Sequence, residues 1–379
     1  MTAVGNPAIP NLLYSEIEED LRAVLVAALD RSTDWAETLA RAESDATVDS
    51  TLWRTLSIDM GLAGLPVDEA MGGANASWRE VSIVLEELGR RVVPVPFLGS
   101  AVTATSLLTA VNENVLLTQM VTAGTVAAMA IPADTVPWTR PEHQVRVEHG
   151  RLSGEVPSVT DALTASTFLV VADDELYSVP AQSITIAPVV SLDMTRQLAD
   201  LTFDSASGSL IASGPEVASA AERALTISMA MLASEQLGVS EACLAMTVEY
   251  LKERRQFGRA LGSYQALKHR LADLWVDVTH ARAVARHAAG CAAEGNADLP
   301  IASALAGAVC SDVALKAAQE CVQMHGGIGF TWDHPAHLLL KRAKSSALMF
   351  GGASAQRAHL GDLIDITGRP DTRSRPSND

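Results

Sequence analysis

Two short segments hold residues whose types and spacing could do chemistry. The first, YLKERRQFGRALGSYQALKHRLADL, runs from Tyr250 to Leu274. Its pattern predicts a helix ending at Arg254 or Arg255, a loop holding Phe257 and Gly258, and a new helix from near Ser263. A guanidinium at a helix end, beside an exposed phenyl ring and a glycine that lets a ligand approach, suits a diphosphate next to an aromatic ring. A solvated basic turn between two bundle helices would use the same residues. The second segment, AQECVQMHGGIGFTWDHPAHL, runs from Ala318 to Leu338. A long helix reaches Gln323 and meets three glycines in four positions, which imply positive φ angles and bare backbone N–H groups. A helix C-cap followed by a turn explains them equally well. His325 has two readings, a catalytic imidazole or a structural turn residue.

A third stretch, KRAKSSALMFGGASAQRAHL (Lys341 to Leu360), is a helix-like run broken by Gly351 and Gly352, with no acid in it. What this absence means depends on the elements around it.

Residues 1–122 read as helical. Ser15 and Glu18 form a capping-box pattern, followed by Ile17, Leu21, Val24, Leu25 and Ala28 at helical spacing. Further helices are expected over Val48–Met60, over WREVSIVLEELGRR to near Gly89, and over Val102–Thr122. Residues 123–214 change character. TVAAMAIP, HQVRVEHGRLSGEV, TFLVVADDELYSV, SITIAPVV and RQLADLTFDSA are short, β-branched and partly alternating, the pattern of an antiparallel sheet module. Residues 215–366 return to helix in four long runs: Glu216–Glu253, Tyr264–Glu294, Leu299–Gln323 and one starting over Pro335–Phe350. Leu267, Leu271, Leu274, Trp275, Val278 and Val284 form the expected apolar stripe of the second. The fold class is therefore mainly α with a middle β domain, the last part a four-helix bundle. A polar tail, expected to be disordered, covers 367–379.

Composition narrows the function. The chain has 379 residues, 48% hydrophobic and 19% charged, with a formal net charge of -17. That balance argues against nucleic acid or an anionic membrane as the main partner, since both need a basic footprint. No stretch reads as a membrane span and the first residues lack a signal-peptide pattern. Cys243, Cys291, Cys310 and Cys321 are scattered without metal-ligand spacing, so no metal site is expected. Buried thiols in a reducing cytoplasm are the natural reading.

RRQFG followed by GSYQALKH, then QMHGGIGF at the end of the third bundle helix, resembles the C-terminal domain of the flavin-dependent acyl-CoA dehydrogenases. The connector GLAGLPVDEAMGG and the helix ending LEELGRRVVPVP resemble the same family, and the three-part layout is its fold. The resemblance implies that FAD lies across a subunit interface, its adenosine diphosphate half held by the neighbouring subunit. The positions implied here are Arg254, Gln256, Phe257, Gln323, Gly326 and Gly327, with Leu261, Tyr264 and Gln265 where the same loop and helix start approach the cofactor. The implied chemistry is α,β-dehydrogenation of an acyl-CoA thioester. A carboxylate removes the α-proton, and the flavin takes the β-hydrogen as hydride.

Three departures from the family stand out. Aligned on Ala343-Lys344 and Gln356-Arg357, the usual glutamate base is replaced by Phe350, which has no proton-accepting group, and the following threonine is Gly352. A minority of members carry the base on the first bundle helix. Counting back from the QFG loop, that position holds Ser228-Met229. Glu235 is the nearest acid, seven residues on and about 10 Å along the helix. The flavin-contacting loop T-E-P-x-x-G-S-D is represented by AIPADTVPWTRPEHQV, without Gly-Ser-Asp.

The half-site a subunit gives its own flavin ring is thus eroded, and the half it gives a neighbour is intact. The first expectation is a subunit of a hetero-oligomeric, α2β2 acyl-CoA dehydrogenase whose partner carries the catalytic glutamate. It would act in fatty-acid or steroid side-chain β-oxidation and pass electrons to an electron-transfer flavoprotein or similar acceptor. Bacterial members with paired, unequal subunits resemble this and act on bulky thioesters such as steroid side chains. Two alternatives remain: a self-sufficient homo-oligomer using a base such as Glu235, and a non-catalytic CoA-ester-binding or scaffold protein.

Overall fold

The computed structural model describes residues 11–44, 46–139 and 144–366. The expected tail at 367–379 lies outside them. Helices come first: α1 (Glu16–Ser32), α2 (Trp35–Ala42), α3 (Ser50–Arg54), α4 (Trp78–Arg90), α5 (Thr105–Ala110) and α6 (Asn114–Ala123). The expected capping box opens α1, Ser15 Oγ accepting the Glu18 N–H and the Glu18 carboxylate accepting the Ser15 N–H. Its inward face differs from the predicted stripe. Leu25 and Ala28 are buried, but Ile17 and Val24 point outward, because Glu18 turns inward to pair with Arg79. The helix expected over Val48–Met60 is α3 continued by a π-helical turn, Thr55–Asp59. The Val102–Thr122 run is divided where Asn112 adopts φ 57° and Glu113 caps α6.

The middle region forms two four-stranded sheets. One has the order β1 (Ala127–Met129), β4 (Thr167–Ala172), β5 (Glu175–Pro180), β8 (Ser209–Ser213). The other runs β2 (Val145–Glu148), β3 (Arg151–Thr160), β7 (Leu198–Ala206), β6 (Thr185–Val189). All pairings are antiparallel as expected except β1 with β4, which is parallel. Helices make this pairing possible, since β1 enters the sheet from the N-terminal layer rather than through a hairpin.

α7 (Glu216–Glu253), α8 (Gln265–Glu294), α9 (Leu299–His325), α10 (Ala336–Ser346) and α11 (Gly352–Leu363) complete the chain. α9 with its following turn, Leu299–Phe330, is the one described helix long and apolar enough to cross a membrane. Two thirds of its most apolar stretch is buried, packed among α7, α8, α10 and α11 as the central helix of the bundle. Trp275 is a correction to the predicted α8 stripe. It is 58% exposed, while Leu274 and Val278 are buried, because one residue along a helix turns the side chain by about 100°.

Where α4 crosses α7 the backbones nearly touch. A Cβ on Gly89 would lie 2.2 Å from the Glu235 carbonyl oxygen, and one on Gly238 1.9 Å from that of Glu86. Gly89, near the expected helix end, is thus a packing residue within α4.

Just beyond this crossing lies a buried ionic cluster. Arg196, from the loop before β7, binds both Glu235 oxygens through Nη2 and donates through Nη1 to Ser346 Oγ at 2.9 Å. Arg342 on α10 donates to Asp193 at 2.6 Å, to Thr195 Oγ1 at 2.8 Å and to Glu235 at 3.4 Å. Asp161, at the end of β3, accepts the Gly99 N–H at 2.8 Å. Its carboxylate is turned inward, and burial pushes its pKa from 3.8 up to about 6, against the opposing pull of Arg196 and the Gly99 bond. The charges on Arg342 and Arg196 outweigh burial at Asp193 and hold its pKa low.

Glu235→Ala strands two buried guanidinium groups and is expected to destabilise the chain by about 3–5 kcal/mol in urea unfolding. Asp161 adds a pH signature. Its folded pKa lies above its unfolded value, so the stability it gives is complete below about pH 4 and lost above about pH 6. The wild-type minus Asp161→Asn stability difference should fall by roughly 2–3 kcal/mol across that window, as measured by unfolding at a series of pH values.

Candidate functional site

α7 ends at Glu253, and Arg254 leaves it with φ -68°, ψ 126°, its N–H on the Tyr250 carbonyl. Arg255-Gln256 then pairs with Arg259-Ala260, which leaves Phe257 and Gly258 as a two-residue hairpin loop. Their φ angles are 51° and 79°. Such a loop favours Asn-Gly, and a left-handed Phe costs about 1–2 kcal/mol. The phenyl ring recovers none of this by burial, since Phe257 is 90% exposed. The Leu261 N–H closes the loop on the Arg254 carbonyl, and Arg259 lies 3.7 Å over the Tyr264 ring.

The end of α9 faces this hairpin. Gly326 has φ 62° and ψ -136°, a conformation open essentially to glycine alone. A Cβ on Gly326 or Gly327 would meet nothing within 4 Å. Between the two segments lies a cavity of about 500 Å³ lined by Tyr250, Arg254, Gln256, Leu261, Met324, His325, Gly326, Gly327 and Ile328.

Of the residues singled out in the sequence, Arg254, Gln256, Leu261, Gly326 and Gly327 thus come together around one cavity. Phe257, Tyr264, Gln265 and Gln323 are outside its lining. Phe257, Gln265 and Gln323 lie on exposed surface and Tyr264 beneath Arg259. Tyr250 and His325 line the cavity too. The i, i+4 spacing of Tyr250 to Arg254 was the available signal for the first.

Two helix C-termini, those of α7 and α9, converge on the cavity, and their terminal carbonyls carry partial negative charge. Arg254 offsets it. Among the described residues this guanidinium has no ion-pair partner, and Arg255 and Lys268 nearby are likewise exposed. The donor set fits a dinucleotide: a free guanidinium for a diphosphate, bare glycine backbone for close approach, and room for an adenosine.

The stretch around Phe350 is the opposite kind of site. Phe350 is 5% exposed with φ 51° and ψ 39°. Its N–H donates to the Ala133 carbonyl at 3.1 Å, which ties the AIPADTVPW loop to the helix break. Residues 140–143 of that loop region lie outside the described residues. Leu98, Thr103, Ile131, Leu225, Met349 and Phe350 surround a cleft of only about 30 Å³. Ser228, singled out by counting back from the QFG loop, is buried against Thr103 Oγ1 at 2.8 Å. Glu235 is held by Arg196 and Arg342. Both Glu235 oxygens are taken up by Arg196, and Oε1 also accepts from Arg342 and Ser346, so neither oxygen is free toward the cleft at Phe350.

A family profile described as "Acyl-CoA dehydrogenase, C-terminal domain" matches residues 218–364, and that of the N-terminal domain matches residues 15–125. The chain belongs to the acyl-CoA dehydrogenase family, oxidoreductases acting on the CH–CH bond of acyl-CoA. Acyl-CoA dehydrogenase IpdE2 of Mycobacterium tuberculosis is 33% identical over 333 residues, covering 88% of this chain and 92% of that one. Among solved structures, the Tcur3481-Tcur3483 steroid ACAD is 30% identical with a TM-score of 0.83, over 93% of this chain and 99% of that one. The ChsE4-ChsE5 complex from Mycobacterium tuberculosis is 27% identical with a TM-score of 0.83, over 95% and 100%.

Two substitutions in the open site should be silent for folding. Gly327→Ala meets no neighbour and should change stability by less than about 0.5 kcal/mol. Phe257→Asn places a residue that tolerates positive φ in the hairpin, and stability should hold or rise by up to about 1 kcal/mol. Thermal unfolding of both variants checks these values.

Proposed function

We propose that this chain is the non-catalytic subunit of a heteromeric acyl-CoA dehydrogenase, completing the FAD site of a partner that carries the catalytic glutamate. The asymmetry between the two sites carries the reading: the cavity at Arg254 measures about 500 Å³, and the cleft lined by Phe350 only about 30 Å³. Arg254 would hold the diphosphate, Gly326 and Gly327 would let the dinucleotide lie against backbone, and Phe257 would close over it from the hairpin. FAD, when bound, supplies the hydride acceptor for the β-hydrogen. The α-proton would go to the partner's carboxylate, since this chain offers none in the filled cleft. A bulky thioester of the steroid side-chain type is the proposed substrate class. The support is the printed description of one structural neighbour, a steroid ACAD named as a pair of components, and the two-component complex of the other. An electron-transfer flavoprotein or similar protein is the proposed acceptor.

The homo-oligomeric alternative needs Glu235 as base, and its two guanidinium partners weigh against that. The scaffold alternative needs no open cavity beside a strained, exposed aromatic residue.

Expression of this chain alone and together with a candidate partner from its genomic neighbourhood tests the reading, with flavin absorbance and acyl-CoA oxidation as readouts. Flavin and turnover should occur only in the co-expressed pair. Arg254→Ala should abolish both, and Gly327→Ala should weaken flavin retention roughly tenfold or more. Phe350→Glu in the lone chain should restore neither, because a lone chain would still lack the partner's half of the flavin site. Turnover by the lone chain would overturn the proposal. Flavin absent under both conditions would favour the scaffold.

A further inference from the structure

His325 lines the same cavity as Arg254 and Gly327, yet it is only 3% exposed. Its ring is clamped. Tyr250 stacks on it at 4.4 Å between centroids, and His334 leans against it at 4.5 Å. Nδ1 lies 2.7 Å from the Cys321 carbonyl oxygen, one turn back on α9, and 3.7 Å from Cys321 Sγ. A carbonyl oxygen only accepts, so the neutral ring keeps its proton on Nδ1. Nε2 has no hydrogen bond among the described residues. The neutral ring therefore has a lone pair at Nε2, and only the imidazolium has an N–H there. Toward a phosphate oxygen the first repels and the second donates.

The groups facing this ring set its charge. From α7 comes Tyr250, from α9 Cys321, which Cys243 of α7 contacts in turn, and from the segment after α9 His334; Arg254, just past α7, lines the same cavity. No carboxylate lies within ion-pair distance among the described residues. Burial alone would lower the His325 pKa, but its bonds to Cys321 Sγ and the Cys321 carbonyl outweigh this and raise it above 6.5. The Cys321 thiol is drawn down in turn by Cys243 and, less strongly, by His325.

We infer that His325 is a second anion-binding group of the dinucleotide cavity: its imidazolium donates from Nε2 to the diphosphate, and its neutral form opposes that anion. The inference rests on the reading of this cavity as a diphosphate site. It adds pH control to that site, with the dinucleotide held in mildly acidic to neutral solution and loosened as His325 deprotonates.

The test uses the chain assembled with its partner and freed of flavin. ADP-ribose is the probe, because its bridging diphosphate has no proton to lose in the relevant range and it reports only on this half of the site. Its dissociation constant is measured by calorimetry between about pH 6 and pH 9. Wild-type affinity should fall roughly tenfold across the range, the difference between an ionic and an absent hydrogen bond. His325→Gln, a neutral donor of similar reach, should give a flat profile. Cys321→Ser removes the thiol that keeps the ring charged and should move the wild-type transition to lower pH without changing affinity at the acidic end. A wild-type slope retained in His325→Gln would overturn the inference. Should that variant not fold, as judged by circular dichroism, an unshifted profile in Cys321→Ser would overturn it instead. Arg254→Ala separates the two levels: unchanged ADP-ribose affinity there would overturn the reading of the cavity itself.

Discussion

Five ionisable side chains lie where the three layers of the molecule meet: Arg196 and Arg342 against Asp161, Asp193 and Glu235. Charges withdrawn from water must be paired with good geometry, or they destabilise the structure by several kcal/mol. Here the pairing is dense. Arg342 has bonds to Asp193, Thr195 and Glu235, and Arg196 to Glu235, Ser346 and Met349. The loop before β7 is thereby fixed to α7 and α10, and Asp161 reaches Gly99 in the N-terminal layer. Three carboxylates face two guanidinium groups, and at Asp161 burial outweighs the pull of Arg196 and Arg342 and raises its pKa, while at Asp193 the arginines win.

The cluster also decides what the neighbouring segment can do. Arg196 touches Ser346 and Met349 directly, so the helix break at Met349–Gly351 is fixed from behind. In front, the Phe350 N–H is tied to Ala133. Phe350 pays a left-handed backbone conformation of about 1–2 kcal/mol, which burial of its ring offsets at about 1.5–3 kcal/mol. The filled cleft is therefore self-consistent within this chain. Phe257 has the same backbone strain without burial. Nothing among the described residues compensates it, and that imbalance directs attention outward from the Arg254 cavity.

Charge supports the same division. The chain is strongly acidic overall, yet Lys252, Arg254, Arg255, Arg259, Lys268 and Arg270 gather within one short stretch. Of these, Arg254 lines the point where two helix C-termini converge, a place that would otherwise disfavour anions, while Lys252 and Arg270 pair with Glu249 and Glu320. A local excess of positive charge there is the electrostatic condition for holding a diphosphate.

The sequence by itself determined the order of layers, the extent of α7, which spans Glu216–Glu253 as expected, and the identity of the glycine and arginine turns. Those features follow from local periodicity and from residues with restricted backbone choices, which act within a few positions. It did not determine that β1 pairs in parallel with β4, that Trp275 faces outward, or that Ile17 and Val24 leave the core. Each depends on a partner distant in sequence: the sheet's neighbour, the rotation of α8 in the bundle, the pull of Arg79 on Glu18. The same limit applied at the site. A glycine-broken helix without an acid at Phe350 was legible in the sequence, and the family resemblance is what implies a base position there. That the cleft around it is narrow, that Glu235 is held by two arginines, and that His325 is clamped between Tyr250 and His334 were decided only by tertiary packing, because each brings together side chains from separate elements.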